Sequence, residues 1–326
     1  MRATIGITAG DPAGIGLEVV LKSISSLVTS ARWALFTDRE IFERNAQRFS
    51  PGVDCRWIES LNAITDDPIL FLCDLRGDTS RIEWGKLSAS AGARALAYLE
   101  AASSEALSGK LQAIVTAPVS KEAIGGNFHG QTDFLADQAG VREYAMAFFA
   151  PTLKVVLATI HVSLQEALSR ISTAEYVRLI RFVNRHFPGQ RIAVAAINPH
   201  AGEGGMFGRE DIDVLTPAVI QCVGEGISVS GPHSADSLYY RAHTGEFDVV
   251  IAPYHDQGLI PVKLIAHSEA TNVTLGLPYV RTSPDHGTAF SIAGQGKADP
   301  RGMHRALTLA VELANRGQDK PRIERI

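Results

Sequence analysis

The feature that most constrains the fold of this chain is a regular alternation between short apolar runs and helix-like segments. Runs rich in β-branched and apolar residues are typical of strands: "ATIGITA", "WALFT", "PILFLC", "AIVTA", "KVVLATI", "RIAVAAI" and "DVVIAP". Several are apolar at consecutive positions, which indicates strands covered on both faces. Segments such as "SASAGARALAYLEAASSEAL" and "TAEYVRLIRFVNRHF" lie between them and predict helices. The alternation predicts an α/β protein with largely parallel sheets, and the length of 326 residues predicts about two domains.

The composition excludes several classes of partner. A net charge of −4 gives no electrostatic reason to bind nucleic acid or an anionic membrane. The three cysteines form no CxxC pair, which is typical of a reduced, cytoplasmic protein. The N-terminus has no signal-peptide pattern, and no apolar stretch is long enough to span a bilayer. We therefore expect a cytoplasmic protein of enzyme size, without a nucleic-acid or membrane partner.

Three histidines follow three apolar runs. "KVVLATIH" ends in His161, "RIAVAAINPH" ends in His200, and "FDVVIAPYH" ends in His255. Ligands of open α/β sheets bind at the carboxyl ends of the strands, where such residues lie. Neutral imidazoles suit a divalent metal such as Zn²⁺, although a histidine that caps a strand or bonds a loop carbonyl is the alternative for each one singly. The repetition of the pattern favours the metal site.

Charged and polar residues also occur in segments whose surrounding pattern is apolar or helical. Lys263, Asn272 and Arg281 lie in an otherwise apolar, strand-forming region, where they either clamp an anion or form the exposed face of a strand. In "TAPVSKEAI", Ser120 is a plausible N-cap, and Lys121 in the first helical turn opposes the helix dipole. The glycine-rich "TAGDPAGIGLE" is either a tight strand-to-helix turn or a ligand contact.

One segment carries a resemblance to nucleotide-dependent dehydrogenases. "SPDHGTAFSIAGQGKADP" is similar to the cofactor loop of isocitrate and isopropylmalate dehydrogenases, which meets the adenosine part of NAD(P). The resemblance implies cofactor contacts at Asp285, His286, Gly287 and Gly294.

Nearly the whole chain resembles the 4-hydroxythreonine-4-phosphate dehydrogenase family of vitamin B6 biosynthesis. The matching blocks span residues 6 to 300 and are "GDPAGIGLE", "TAPVSK", "GQTDFLA", "INPHAGEGG", "GPHSADSL", "YHDQGLIPVK" and "NVTLGLPYVRTSPDHGTA". The family implies an isocitrate/isopropylmalate dehydrogenase-like fold of two α/β domains with a cleft between them. We expect a discontinuous first domain, 1–123 and 265–326, and a second domain, 124–264, that carries much of the metal site and the dimer contacts.

The resemblance also implies the site. A divalent metal (Zn, Mg or Co) would be held by His161, His200 and His255, with the third ligand supplied by the neighbouring subunit of a homodimer. Substrate contacts carry over to Thr132, Lys263, Asn272 and Arg281. Gln131 stands where the family often has a histidine, and it cannot become cationic. Candidates for proton transfer are Asp236, Asp256 and Lys121.

The expected reaction is NAD- or NADP-linked oxidation of 4-phosphooxy-L-threonine. The product, 2-amino-3-oxo-4-phosphooxybutanoate, would lose CO₂ to give 3-amino-2-oxopropyl phosphate in pyridoxine phosphate biosynthesis. Because paralogues exist, oxidation of a threonate- or erythronate-type sugar acid phosphate or of an aromatic cis-dihydrodiol remains an alternative. An acyltransferase of the phosphotransacetylase type and a non-catalytic binding protein are the alternatives from other classes.

Overall fold

The computed structural model describes residues 2–50 and 52–318. The chain divides into two compact units, the first formed by 1–144 and 271–326 and the second by 145–270. In the described part of the chain, no helix combines the length and apolar character needed to cross a membrane.

The strands and helices follow the alternation predicted from the sequence. The strands are β1 (Thr4–Thr8), β2 (Arg32–Thr37), β3 (Cys55–Ile58), β4 (Leu70–Asp74), β5 (Ala113–Thr116), β6 (Ala145–Phe149), β7 (Lys154–Leu157), β8 (Ile192–Ala195), β9 (Val229–His233), β10 (Val249–Ala252), β11 (Thr271–Leu275) and β12 (Val280–Pro284). The helices are α1 (Gly16–Ile24), α2 (Arg39–Phe49), α3 (Ala89–Leu107), α4 (Lys121–Ile124), α5 (Gln131–Gln138), α6 (Leu164–Arg170), α7 (Thr173–His186), α8 (Thr216–Gly224), α9 (Ala235–His243), α10 (His255–Ala266) and α11 (Arg301–Gln318).

The sheet of the first unit has the strand order β3–β4–β2–β1–β5–β12–β11. Its strand pairs are parallel except for β11 and β12, which are antiparallel. Central strands such as β1 are buried at every position, helices α3 and α11 pack against the sheet, and α1 packs against α11 and α2. This confirms the interpretation of consecutive apolar positions as strands covered on both faces.

The sheet of the second unit has the strand order β6–β7–β10–β8–β9. Strands β7, β10, β8 and β9 pair in parallel, whereas β6 runs antiparallel to β7. The strands that precede the three histidines, β7, β8 and β10, are therefore immediate neighbours. Their carboxyl ends meet at one edge of the sheet, the usual location of a ligand site in this class of fold.

Two sequence expectations differ from the structure. Residues 124–144 belong to the first unit because α5 packs on α3, and 265–270 belong to the second because they complete α10 and its exit. Lys263 lies in α10 rather than in a strand-forming region. The buried residues Leu259, Val262 and Ala266 recur at helical spacing, while exposed apolar neighbours make the segment resemble a strand.

Candidate functional site

A buried arginine is the centre of a polar cluster in the first unit. Arg281 of β12 is 2% exposed, and its Nε and Nη2 donate to the hydroxyl of Thr116, at 3.2 and 2.7 Å. Its Nη1 donates to Thr274 at 3.1 Å and to Thr132 at 3.3 Å, and Nη2 lies 3.5 Å from the Gln131 carbonyl. Burial lowers the pKa of Arg281 to about 10, so the guanidinium stays protonated at neutral pH. These partners are neutral, which leaves a buried positive charge for an anion to meet.

Strand pairing and loop contacts place other predicted residues in the same unit. Thr274 of β11 lies opposite Arg281, and Asn272, two residues earlier, shares its face of the strand. The Asn272 Oδ1 atom is buried and has no hydrogen-bond partner within the described residues. Lys121 begins α4 after the Ser120 cap, as predicted, and a Cβ at Gly130 would lie 3.5 Å from its Nζ. Lys121 therefore lies next to Gly130, the residue that precedes Gln131.

Two of the three histidines are neighbours in the second unit. The imidazole rings of His161 and His255 lie 5.9 Å apart between centroids. The pairing follows from the sheet, because β7 and β10 are adjacent and the Thr159 hydroxyl donates to the Pro253 carbonyl at 2.8 Å beyond their ends. Within residues 2–50 and 52–318, no group of three His, Cys, Asp or Glu side chains could hold a metal ion. The observed contact is thus between His161 and His255.

His200 lies in a different local setting. It belongs to the segment Pro199–Gly205, and its ring lies near that of Phe207, at 6.3 Å between centroids. The backbone φ angles of His200, Ala201 and Glu203 are 52°, 53° and 41°, in the left-handed region. Non-glycine residues rarely adopt this conformation, and strain of this kind concentrates at functional sites.

The candidate proton-transfer groups of the second unit are exposed. Asp256 Oδ1 lies 2.6 Å from His255 Nδ1, so this carboxylate orients the His255 ring. The Ser234 hydroxyl donates a hydrogen bond to Asp236 and lowers the pKa of that carboxylate, and nearby His200 lowers this pKa further.

Lys263 lies on α10, two turns after His255. The sequence did not single out Gln257, whose side chain donates to the Ala196 carbonyl at 2.8 Å and ties α10 to the end of β8.

The predicted cofactor loop is built on left-handed backbone. Ala289, Gly294 and Gly296 have φ angles of 44°, 74° and 74°. A Cβ at Gly294 would approach the Trp84 ring to 2.6 Å, so only glycine fits there. His286 Nε2 and Trp84 Nε1 are buried and have no hydrogen-bond partner in the described part of the chain. Unsatisfied ring nitrogens beside a glycine loop fit a planar polar ligand such as a nucleotide.

Two residues of α1 hold this loop. The Lys22 ammonium donates to the carbonyls of Gly296 and Ala298, at 2.8 and 3.1 Å. The buried Glu18 carboxylate accepts from Lys22 at 2.7 Å and from the Ala298 amide at 2.9 Å. Sequence reasoning missed this clamp, although Glu18 and Lys22 have the i, i+4 spacing of a helical ion pair. The "TAGDPAGIGLE" turn also packs here, since the Ile15 amide donates to the Thr288 carbonyl at 3.0 Å.

Solved structures identify the class of fold. A β-decarboxylating dehydrogenase from Thermococcus kodakarensis has a TM-score of 0.51 at 15% identity, covering 95% of this chain and 82% of that one. A 4-hydroxythreonine-4-phosphate dehydrogenase from Klebsiella pneumoniae has a TM-score of 0.88 at 36% identity, covering 96% and 98%. A terephthalate 1,2-cis-dihydrodiol dehydrogenase from Burkholderia xenovorans has a TM-score of 0.65 at 30% identity, covering 95% and 98%. The protein thus has the α/β fold of the isocitrate dehydrogenase-like enzymes.

Sequence comparison identifies the family. The family model described as pyridoxal phosphate biosynthetic protein PdxA matches residues 29–310. A D-threonate 4-phosphate dehydrogenase of Salmonella typhimurium is 39% identical, with 95% of this chain and 99% of the relative covered. A 4-hydroxythreonine-4-phosphate dehydrogenase of Beijerinckia indica is 38% identical, with 95% and 94% covered. The chain belongs to the PdxA family, a family of oxidoreductases.

Proposed function

We propose that this protein is an NAD(P)-linked, metal-dependent dehydrogenase of 4-phosphooxy-L-threonine. The observation that carries the proposal is the buried cation of Arg281, which donates to three hydroxyls and one amide carbonyl. An uncompensated buried guanidinium is costly, and a phosphate that accepts its N–H groups would offset that cost. Relatives named as dehydrogenases of phosphorylated hydroxy acids support the same substrate class.

In this proposal, residues of the first unit bind and orient the phosphorylated substrate: Arg281, Thr132, Gln131 and Asn272. Lys263, in the second unit, stays a predicted substrate contact. Fixing the reacting carbon against the cofactor accounts for much of the rate acceleration. Oxidation removes a hydride and a proton from the CH–OH group, and the resulting β-keto acid loses CO₂ to give 3-amino-2-oxopropyl phosphate.

The chain has residues that fit the divalent metal ion and the nicotinamide cofactor implied by the family. His161, His255 and His200 would hold a Zn²⁺, Mg²⁺ or Co²⁺ ion, and the Asp285–Gly287 stretch with Gly294 would hold the adenosine part of NAD or NADP. When bound, the cation lowers the pKa of the substrate hydroxyl and the nicotinamide accepts the hydride. Asp236 remains the candidate to receive the hydroxyl proton in the second unit, since it is an exposed carboxylate influenced by His200. Lys121 and Asp256 are the other candidates, but Asp256 already bonds the His255 ring.

We further propose a cytoplasmic homodimer whose metal sites are shared between subunits. One chain brings His161 and His255 together, and His200 lies on a separate strained loop. The second unit exposes large apolar side chains: Leu264 of α10 at 86% and Met206 after the His200 loop at 75%. Apolar exposure of this size is typical of surfaces that pack against a partner. The family resemblance makes His255, the third ligand, the one supplied by the neighbouring subunit, but the contact between the His161 and His255 rings favours His200 in that place. In the dimer that we propose, each site combines the His161–His255 pair of one subunit with His200 of the other.

A threonate- or erythronate-type sugar acid phosphate is the second candidate substrate. Gln131 favours it, because this neutral side chain donates to the Ala117 carbonyl at 3.1 Å and stands where the family often has a histidine. The change alters the charge offered to the substrate next to Arg281. Arg281 itself supports a phosphorylated acid over a neutral dihydrodiol.

Turnover in metal-stripped protein tests the proposal. We expect reduction of NAD⁺ or NADP⁺ with 4-phosphooxy-L-threonine only after Zn²⁺, Mg²⁺ or Co²⁺ is restored. Turnover of D-threonate 4-phosphate instead would establish the second candidate and retain the metal-dependent mechanism. No turnover of either substrate in folded, metal-loaded dimer would refute both, and equal rates without metal would refute the role of the histidines.

A further inference from the structure

We propose that Asp211 is a positioning residue that fixes the loop carrying His200. The inference rests on the proposed role of His200 as a metal ligand. Asp211 is fully buried, at 0% exposure, yet none of the chemistry above uses it. A carboxylate buried in a protein interior requires hydrogen bonds to offset its desolvation, so its partners indicate its function.

The partners of Asp211 belong to the base of the His200 loop. Its Oδ1 accepts from the Ile197 amide at 2.7 Å, and its Oδ2 accepts from the Asn198 amide at 3.0 Å. Oδ2 also accepts from the Asn198 side chain at 3.0 Å. Both oxygens thus hold consecutive residues at the point where the chain leaves β8, two residues before His200. Hydrogen bonds to an ionised acceptor are the stronger kind, which suits an anchor.

The loop beyond this anchor needs external support. His200, Ala201 and Glu203 have left-handed backbone, which is unfavourable for residues other than glycine. Such conformations persist only where surrounding contacts determine them. Gly202 shows how closely the segment is folded, because a Cβ there would lie 2.8 Å from the Gly208 carbonyl. The Asp211 bonds are therefore placed to keep the strained segment, and His200 with it, in one conformation.

The backbone around Asp211 has an uncommon conformation. It begins a π-helical turn, Asp211–Leu215, and its carbonyl accepts from the Thr216 hydroxyl at 2.8 Å. The Val214 carbonyl in the same turn accepts from the Thr173 hydroxyl of α7 at 3.0 Å. Turns of this kind are rare and occur frequently at functional sites. Hydrogen bonds from α7 and α8 thus hold the turn that carries Asp211, and the Asp211 carboxylate in turn holds the base of the His200 loop.

The decisive variant is Asp211→Asn, which keeps the size of the side chain but turns an N–H donor toward the amides of residues 197 and 198. We expect the Zn²⁺ dissociation constant of the dimer, measured by chelator competition, to rise at least about tenfold, the equivalent of about 1.4 kcal/mol. Hydrogen exchange at those amides in metal-free dimer should accelerate, and saturating Zn²⁺ should restore much of kcat. Unchanged Zn²⁺ affinity and unchanged exchange would overturn the proposal.

The control is Asp248→Asn. Asp248 also accepts from a backbone amide and a guanidinium, those of Arg191, but it lies before β10 at the end of the strand remote from the histidines. This variant should leave Zn²⁺ affinity and the exchange of residues 197 and 198 within about twofold, even where its melting temperature falls. An equal loss of Zn²⁺ affinity in both variants would mean that Asp211 acts through general stability, against the proposal.

Two further variants keep the outcome interpretable. Should Asp211→Asn fail to fold, Asn198→Ala removes the side-chain bonds to Asp211 and to Glu210 and retains the backbone bonds to Asp211. It should weaken Zn²⁺ binding in the same direction by a smaller factor. Unchanged affinity in a folded Asn198→Ala dimer would then count against the anchor. His200→Ala separates the two proposals: if it binds Zn²⁺ normally, the metal role of His200 fails, while the exchange measurement still decides whether Asp211 fixes the loop.

Discussion

At the scale of single residues, the neutral surroundings of Arg281 distinguish the candidate site of the first unit. Thr116 accepts two of its N–H groups, and Thr274 and Thr132 accept from the third nitrogen. Aspartate or glutamate at these positions would neutralise the guanidinium and compete with a phosphate. Hydroxyl groups orient the guanidinium group without neutralising its charge. In the proposed function, the threonines would therefore orient Arg281 toward a phosphate.

Substituting Thr116 tests this view. Thr116→Val keeps the shape of the side chain but removes the acceptor for Nε and Nη2 of Arg281, whereas Thr116→Ser retains it. We expect KM for the phosphorylated substrate to rise about tenfold or more in the valine variant, since a hydrogen bond to a charged group contributes about 1.5–3 kcal/mol. The serine variant should stay close to wild type. Steady-state kinetics at matched thermal stability measures the effect, and a wild-type KM in Thr116→Val would contradict it.

At the scale of elements, close packing of α3 against α4 positions the start of the "TAPVSK" helix. A Cβ at Gly92 of α3 would lie 2.0 Å from the Ala123 carbonyl of α4. Glycine at position 92 therefore allows α3 and α4 to approach each other closely, although it lowers the helical propensity of an Ala-rich segment. Gly224 of α8 is the opposite case, because a Cβ there would meet no atom of another described segment within 4 Å.

These two glycines give a matched prediction. Gly92→Ala should lower the free energy of unfolding by about 2 kcal/mol or more, because a methyl group against a backbone carbonyl cannot be accommodated without displacing α4. Gly224→Ala should raise it by up to about 1 kcal/mol through reduced entropy of the unfolded chain. Urea denaturation of both variants measures the difference. A stabilised Gly92→Ala variant would show that α3 and α4 are not held at this distance.

At the scale of the whole molecule, the second unit exposes large apolar side chains in the region that carries the three histidines. Within the described residues, its helices α8 and α10 expose large apolar side chains such as Ile220 and Ile260. The His161–His255 pair and the His200 loop occur in this same unit. A two-fold dimer would bury such surfaces and complete two equivalent metal sites.

Mixing inactive subunits tests the sharing of sites. A heterodimer of His161→Ala and His200→Ala subunits should recover about half the wild-type activity, because one of its two symmetric sites has every ligand intact. A heterodimer of His161→Ala and His255→Ala should stay inactive, since each site then lacks one member of its pair. Activity is measured on heterodimers purified with two affinity tags. The reverse pattern would mean that His161 and His255 come from different subunits.

The sequence by itself determined the fold class, most strand positions and the identity of the residues that follow the strands. These depend on local apolar patterning, and the β-branched runs ending at His161, His200 and His255 record it directly. The glycine-rich loop around Gly294 and the helix cap at Ser120 were also predicted from the sequence of a short segment alone. Local pattern also singled out the three histidines and the group of Lys263, Asn272 and Arg281, whereas Thr132 and Gln131 came from the family resemblance. The roles of all these residues stay predictions.

Only the tertiary structure decided which residues meet. The neutral environment of Arg281 arises from Thr116 and Thr274 on separate strands, and no local pattern marks either threonine. The pairing of His161 with His255 depends on β10 lying beside β7, and the anchor at Asp211 depends on a π-helical turn returning to the end of β8. Hydrogen bonds between distant segments form only when strand order is set, so the sequence named the chemical groups and the packing of the strands selected their partners.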